Sequence, residues 1–155
     1  MTPVTIHCDT RPTLQSGELQ CFTRETDMAT NGRETLALLR RELEFLDGGG
    51  YRHCPHSPWR AAYLFEESPS CPNFSDRSRP HECKDCWLMQ FVPGELRDEQ
   101  VPCRFVQLSA NGVSVDSLYR CGTPVESEQV LRHWLQERIC ELERDLTAVQ
   151  KLNIT

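Results

Sequence analysis

The sequence lacks long apolar runs and an excess of positive charge, and each absence excludes a class of function. No stretch approaches the roughly 20 uncharged apolar residues that a membrane-spanning helix needs, so we expect no membrane association. The chain has 17 Lys and Arg residues against 23 Asp and Glu residues, and its formal net charge is -6. Because phosphate recognition requires clustered basic side chains, this balance disfavours general binding to nucleic acid.

The common catalytic motifs are also missing. There is no Gly-rich phosphate loop, H-E-x-x-H pair, Ser-centred elbow or Rossmann fingerprint. The run Gly48 to Gly50 follows an apolar helical segment, whereas a phosphate-binding loop should lead into a helix. The sequence therefore favours a role other than catalysis and indicates no catalytic residue.

The N-terminal segment shows no recognisable targeting signal. The first 27 residues lack the basic and continuous apolar regions of a secretory signal, so we expect a cytoplasmic protein. Residues 1–28 show no sustained period and are predicted to form a disordered tail, followed by a single domain over residues 29–155. Met28 immediately precedes the first periodic segment, and we interpret it as a candidate for the true start of the protein.

Two amphipathic helices are predicted, one at each end of the domain. The first covers residues 32–47, with Asn31 as its N-cap and the run Gly48 to Gly50 as its exit. The second begins with Thr123 as N-cap and Pro124 at the first helical position, followed by apolar residues at helical spacing.

The segment between these helices is predicted to contain short strands. The runs "AAYLF" (61–65) and "WLMQFV" (87–92) are apolar and short, and Asn111-Gly112 separates two β-prone runs as in a hairpin. About twenty residues without a period lie between the first two runs, and a compact domain rarely contains so long an irregular segment unless something else orders it. A bound metal could supply that order. We therefore expect a small metal-stabilised α+β domain with short antiparallel strands.

Nine cysteines stand out in this composition. In a reducing cytosol a cysteine cluster is more often a metal site than a disulfide framework. Cys83-x-x-Cys86 has the spacing of two of the four ligands of a zinc site. The motif alone is weak evidence, because a random chain this rich in cysteine contains on average roughly 0.5 Cys-x-x-Cys pairs. Cys71 and Cys103 lie beside prolines in turn-like settings and complete a set of four thiolates. The substitute ligands are His53, Cys54, His56 and His81.

Other uses of the cysteines stay open. An iron–sulfur cluster also takes four thiolates, although no C-x2-C-x2-C run is present. A thioredoxin-like dithiol is disfavoured because Cys86 leads into an apolar run rather than a helix. The thiols could also be small buried apolar groups. We expect Cys140, on the last helix, to be a packing or partly exposed residue, and Cys121 to be a thiol in a turn rather than a spare ligand.

The runs "SPWR", "FEESPSCPNF", "CKDCWLMQFVP" and "VPCRFVQL" resemble those of a group of short Cys-rich bacterial proteins with no established activity. The resemblance covers residues 33 to 145 and implies a single bacterial domain.

The leading hypothesis is a zinc-stabilised binding protein that acts through a protein partner. An iron–sulfur or thiol redox protein is the alternative, and a nucleic-acid-binding zinc module is the third hypothesis. The basic residues near the cysteines alternate with acidic ones, which favours a solvated mixed-charge surface over a nucleic-acid interface. The basic residues are Arg52, Arg60, Arg77, Arg79 and Lys84, and the acidic ones are Glu66, Glu67, Asp76, Glu82 and Asp85.

Overall fold

The structure is a computed structural model that describes residues 17–52 and 59–152, with side chains described from residue 31. Helix α1 spans Gly17–Asp47, helix α2 Val115–Cys121 and helix α3 Pro124–Leu152. Four short 3-10 helices lie between α1 and α2, at Cys83–Asp85, Trp87–Phe91, Gly94–Leu96 and Pro102–Phe105. None of the helices in these ranges is both long and apolar enough to cross a membrane.

Helix α1 ends where the sequence predicts but begins earlier. It starts at Gly17, so the interpretation of Asn31 as an N-cap is wrong. Its exit at Asp47 is confirmed: Gly49 has a φ of 77°, and the Gly50 N–H donates to the Phe45 carbonyl at 2.9 Å. Residues 1–16 of the expected tail lie outside the described part, and a start at Met28 stays a prediction.

Helix α3 confirms its predicted start. The Thr123 N–H donates to Glu126 Oε2 at 2.8 Å, and the Glu126 N–H donates to Thr123 Oγ1 at 3.2 Å. These reciprocal bonds satisfy donors that a helix N-terminus leaves without partners.

The two long helices pack antiparallel and form the core. Arg132 Nε lies 2.9 Å from Asp47 Oδ1, and Arg40 Nη2 lies 2.7 Å from Glu143 Oε1. The apolar faces of both helices contribute fully buried leucines to one core. These are Leu39, Leu46, Leu131 and Leu135.

The α+β prediction is wrong, because the described part of the chain is helical and contains no β-strand. Residues 61–63 have no regular structure and residues 64–67 form a turn. Residues 87–91 form a 3-10 helix, and the predicted hairpin retains one isolated bridge, between Gln107 and Ser114. A strand needs a neighbouring strand for its backbone groups, whereas these segments satisfy many of theirs with bonds three residues apart. Ser114 also forms a capping box with Ser117, which starts α2 where the second hairpin strand was expected.

Aromatic side chains hold the irregular middle segment against α3. The rings of Phe65 and Phe91 lie 5.9 Å and 5.1 Å from that of Trp134, in edge-to-face contact. Trp87 packs against both phenylalanines at 6.4 Å. The apolar runs that suggested strands therefore contribute individual aromatic side chains that pack on α3. This packing places the cysteine-bearing turns beside α3.

Candidate metal centre

Four cysteines from three separate segments line one small cavity. Cys71 comes from the turns after residue 65, Cys83 begins the first 3-10 helix and Cys86 follows it, and Cys103 lies in the last one. The cavity has a volume of about 30 Å³. It has room for a water-sized particle or a metal ion, but it is far smaller than the few hundred Å³ typical of small-molecule sites.

Each of these cysteines begins a tight turn. The carbonyl oxygen of each accepts a hydrogen bond from the N–H three residues further along the chain. The four bonds join Cys71 to Phe74, Cys83 to Cys86, Cys86 to Met89 and Cys103 to Val106, at 3.0, 3.0, 3.0 and 3.3 Å. Such turns allow two sulfurs to project from one short loop, which is the use that zinc sites make of Cys-x-x-Cys.

Backbone donors point at two of the thiols. Burial raises the pKa of the Cys71 thiol, and a hydrogen bond from the Asn73 backbone opposes that rise. Burial likewise raises the pKa of the Cys86 thiol, and the Leu88 backbone opposes it. Since a hydrogen bond donated to sulfur favours the ionised thiolate, both turns are suited to the form that binds metal.

Cys103 lies deepest among the four. Its thiol pKa is raised strongly, first by burial, then by the charge of Glu66 and by the other three thiols. Four thiolates this close repel one another. A bound dication would offset that repulsion, because metal ligands must lose their protons to bind.

Arg79 supplies a positive charge at the rim of the cavity. Its Nη2 lies 3.6 Å from Cys83 Sγ, and its Nη1 lies 4.0 Å from Glu66 Oε2. The backbone of Arg79 has a φ of 49°, which is uncommon for a residue with a side chain. This conformation precedes Pro80 and is held by contacts at the site.

Asn73 joins two of the cysteine turns. Its Nδ2 donates to the His81 carbonyl at 2.8 Å, and the His81 N–H donates back to its Oδ1 at 3.0 Å. The turn of Cys71 is thereby fixed to the segment that leads into Cys83. His81, a predicted substitute ligand, is exposed and lines the cavity, whereas the other substitutes, His53, Cys54 and His56, lie outside the described residues.

The arrangement stops short of a closed coordination sphere. Within residues 17–52 and 59–152, no three Cys, His, Asp or Glu side chains are placed as the ligands of one metal ion. The donor chemistry nevertheless fits a borderline-soft ion, since four thiols line one ion-sized cavity. Closing the sphere would require the turns to draw together around the ion.

Two other described cysteines lie away from the cavity. Cys121 ends α2 and Cys140 lies on α3, and both are exposed. The exposure of Cys140 agrees with the partly exposed alternative, and Cys121 is the last residue of a helix rather than part of a turn. Because neither lines the four-cysteine cavity, both are suitable controls.

Sequence reasoning did not single out three residues that shape the cavity, namely Glu66, Asn73 and Arg79. Glu66 and Arg79 were grouped with a mixed-charge surface, and Asn73 carried only the turn signal of the run "SCPNF". Their roles depend on contacts between segments, which no local pattern encodes.

No protein family, curated protein or solved structure matches this chain.

Proposed function

We propose that this protein is a small cytoplasmic binding protein whose irregular middle segment is held by a zinc ion on Cys71, Cys83, Cys86 and Cys103. The observation that carries the proposal is the meeting of these four thiols, from three segments, at one cavity of about 30 Å³. A cavity of that size suits an ion rather than an organic substrate.

The zinc would be structural. Four protein thiolates complete a tetrahedron and leave no open position for water or substrate. Residues 61–105 contain no α-helix and no β-strand, so a metal that joins their cysteines would contribute directly to folding. A reducing cytoplasm would keep the thiols free to bind it.

A protein partner would contact the surface beside this site. Trp59 is 82% exposed, and the guanidinium of Arg60, the next residue, lies 4.2 Å from the ring centroid of the exposed Tyr63. Trp, Tyr and Arg are the residues enriched in the energetic centres of protein interfaces. This surface supports a binding role better than a catalytic one.

The first test is elemental analysis of protein purified without oxygen. We expect one zinc and no iron per chain, and loss of zinc together with a lower unfolding temperature in Cys83→Ser and Cys86→Ser. Cys121→Ser and Cys140→Ser are the matched controls, because both thiols are exposed away from the cavity, and they should retain zinc and stability. Unchanged zinc content in the Cys83→Ser and Cys86→Ser variants would overturn the assignment.

Iron with labile sulfide would identify a redox protein instead, since the same four thiolates suit an iron–sulfur cluster. Absence of both metals would return the cysteines to a packing role.

The partner surface requires a separate test. A photo-crosslinking amino acid at Trp59 should give a discrete protein adduct in cells, whereas the same group at Gln136, exposed on α3, should not. Equal labelling from both positions, or none from Trp59, would reject this surface.

A further inference from the structure

Glu42 is a carboxylate buried in the inner face of α1. It is fully buried, and burial raises its pKa while the nearby hydroxyls of Ser70, Tyr51 and Ser68 oppose the rise. Burying a carboxylate is costly even when it is hydrogen-bonded, and an apolar side chain would fill the same space at lower cost. The groups that Glu42 contacts indicate what it does there.

One carboxylate oxygen holds the turn that ends at Cys71. Ser68 Oγ donates to Glu42 Oε2 at 2.7 Å and accepts a bond from the Ser70 N–H at 3.2 Å. The Ser68 carbonyl accepts a bond from the Cys71 N–H at 3.0 Å. A chain of short contacts therefore joins Glu42 to the backbone of the first cysteine.

The other carboxylate oxygen holds the start of the same segment. Tyr51 donates its hydroxyl hydrogen to Glu42 Oε1, and its oxygen accepts a bond from the Phe65 N–H at 2.9 Å. Phe65 has a φ of 63°, a conformation that a side chain disfavours and that surrounding contacts must maintain. It lines the cysteine cavity and precedes Glu66.

The segment held by Glu42 also reaches the second cysteine turn. Trp87 Nε1 donates to the Ser70 carbonyl at 3.3 Å, and Trp87 follows Cys86 directly. Two of the three cysteine-bearing segments thus meet beside the Glu42 carboxylate, although Glu42 itself does not line their cavity.

We propose that Glu42 is a positioning residue for the metal site: through Ser68 and Tyr51 it sets the places of Cys71 and Cys86 relative to each other. This inference rests on the proposed zinc site. Side chains that orient metal ligands without touching the metal typically change metal affinity by 10- to 100-fold when they are removed.

The test measures zinc affinity by competition with a chromophoric chelator, and Co²⁺ absorption reports the symmetry of the site. We expect Glu42→Ala to weaken zinc binding by about 10- to 100-fold and to alter the Co²⁺ ligand-field bands. Glu42→Gln, which can still accept from Tyr51 and donate to Ser68, should recover most of the affinity. Ser68→Ala removes the hydrogen bond between Ser68 and Glu42 but keeps the one from Tyr51, and it should give an intermediate loss of zinc affinity.

Two controls separate positioning from general loss of stability. Glu44→Ala changes a solvent-facing carboxylate on the same helix and should leave affinity unchanged. Leu135→Ala weakens the α1–α3 core at a residue that is 0% exposed, so it measures how far destabilisation alone lowers affinity and should leave the Co²⁺ bands in place.

The outcomes separate the two proposals. If wild-type protein binds zinc and Glu42→Ala loses no more affinity than Leu135→Ala, with unchanged Co²⁺ bands, the positioning role is wrong and the zinc site stands. If Glu42→Ala does not fold, the zinc affinities and Co²⁺ bands of Ser68→Ala and Glu42→Gln test the positioning role instead. Wild-type affinity and bands in Ser68→Ala would reject it. A wild-type chain that binds no metal overturns both proposals.

Discussion

Arg104 and Glu66 form a two-point ion pair at the edge of the cysteine cavity. Arg104 Nε lies 2.7 Å from Glu66 Oε1, and Arg104 Nη2 lies 3.2 Å from Oε2. The Glu66 side chain is only 10% exposed, and its charge raises the pKa of the Tyr119 phenol, after burial, which is the larger cause. This pair joins the last cysteine-bearing turn to the segment of Cys71, because Arg104 follows Cys103.

Removing Arg104 should therefore destabilise the domain. Arg104→Ala leaves a largely buried carboxylate that has, among the described side chains, only Arg79, at 4.0 Å, as an ion-pair partner. We expect a loss of about 1–3 kcal/mol in the free energy of unfolding, less than a fully buried pair would cost, because Arg104 is partly exposed. Urea unfolding measures it. Adding Glu66→Gln should recover part of the loss, and a double variant no more stable than Arg104→Ala would contradict this account.

The antiparallel helix pair should be sensitive to truncation at its centre. Leu39 and Leu135 are both 0% exposed. We expect Leu39→Ala and Leu135→Ala each to lower the free energy of unfolding by about 2–5 kcal/mol, since each change leaves a cavity in the core. Val125, which is 65% exposed, is the matched control. Val125→Ala should change the free energy of unfolding by less than about 0.5 kcal/mol. Equal effects at buried and exposed positions would be inconsistent with this core.

The capping box of α2 should contribute to stability. The Ser117 N–H donates to Ser114 Oγ at 3.2 Å, and the Ser114 N–H donates to Ser117 Oγ at 2.9 Å. Ser114→Ala should cost about 1 kcal/mol, whereas Ser114→Asp retains an acceptor and should cost much less. Thermal unfolding followed by circular dichroism distinguishes them. A β-hairpin at this position would instead make the two variants alike.

Glu42 should give stability a pH dependence of known sign. Burial raises its pKa in the folded protein above the unfolded value of 4.5, so the folded state binds the proton more tightly. Its contribution is therefore most favourable below pH 4.5 and is lost as the pH rises through the folded pKa. Unfolding free energies of wild type and Glu42→Gln, measured at constant zinc concentration, should diverge with rising pH as the wild type loses relative stability. A difference that is constant with pH, or that grows in favour of wild type, would contradict the raised pKa.

Local sequence patterns predicted two helix ends correctly but predicted strands that the described residues do not form. The Thr123 start of α3 and the glycine exit of α1 were predicted correctly, because caps depend on residues within one turn of the helix end. The apolar runs at 61–65 and 87–92 were misread, because a short apolar run does not encode whether a neighbouring strand exists. In this fold Phe65 packs on the α3 side chain Trp134 instead.

The sequence likewise predicted some residues of the candidate site and missed others. Cysteine spacing and turn-like context selected the four residues that line one cavity, while the metal itself stays a proposal. Glu42 and Glu66 escaped notice because an acidic residue in an amphipathic helix or a mixed-charge loop has no signature of burial. Glu42 lies 26 positions from Ser68, and Glu66 lies 38 positions from Arg104.

By itself, then, the sequence determined where the predicted helix ends fall, which residues could serve as soft metal ligands, and that the chain lacks the signals of a membrane span or a common catalytic motif. Only the tertiary structure decided that the middle segment is irregular rather than a sheet and that Glu42 supports the turn of Cys71. The physical reason is range: capping and periodicity act within a few residues, whereas burial and ion pairing depend on which distant segments the packing of α1 on α3 brings together.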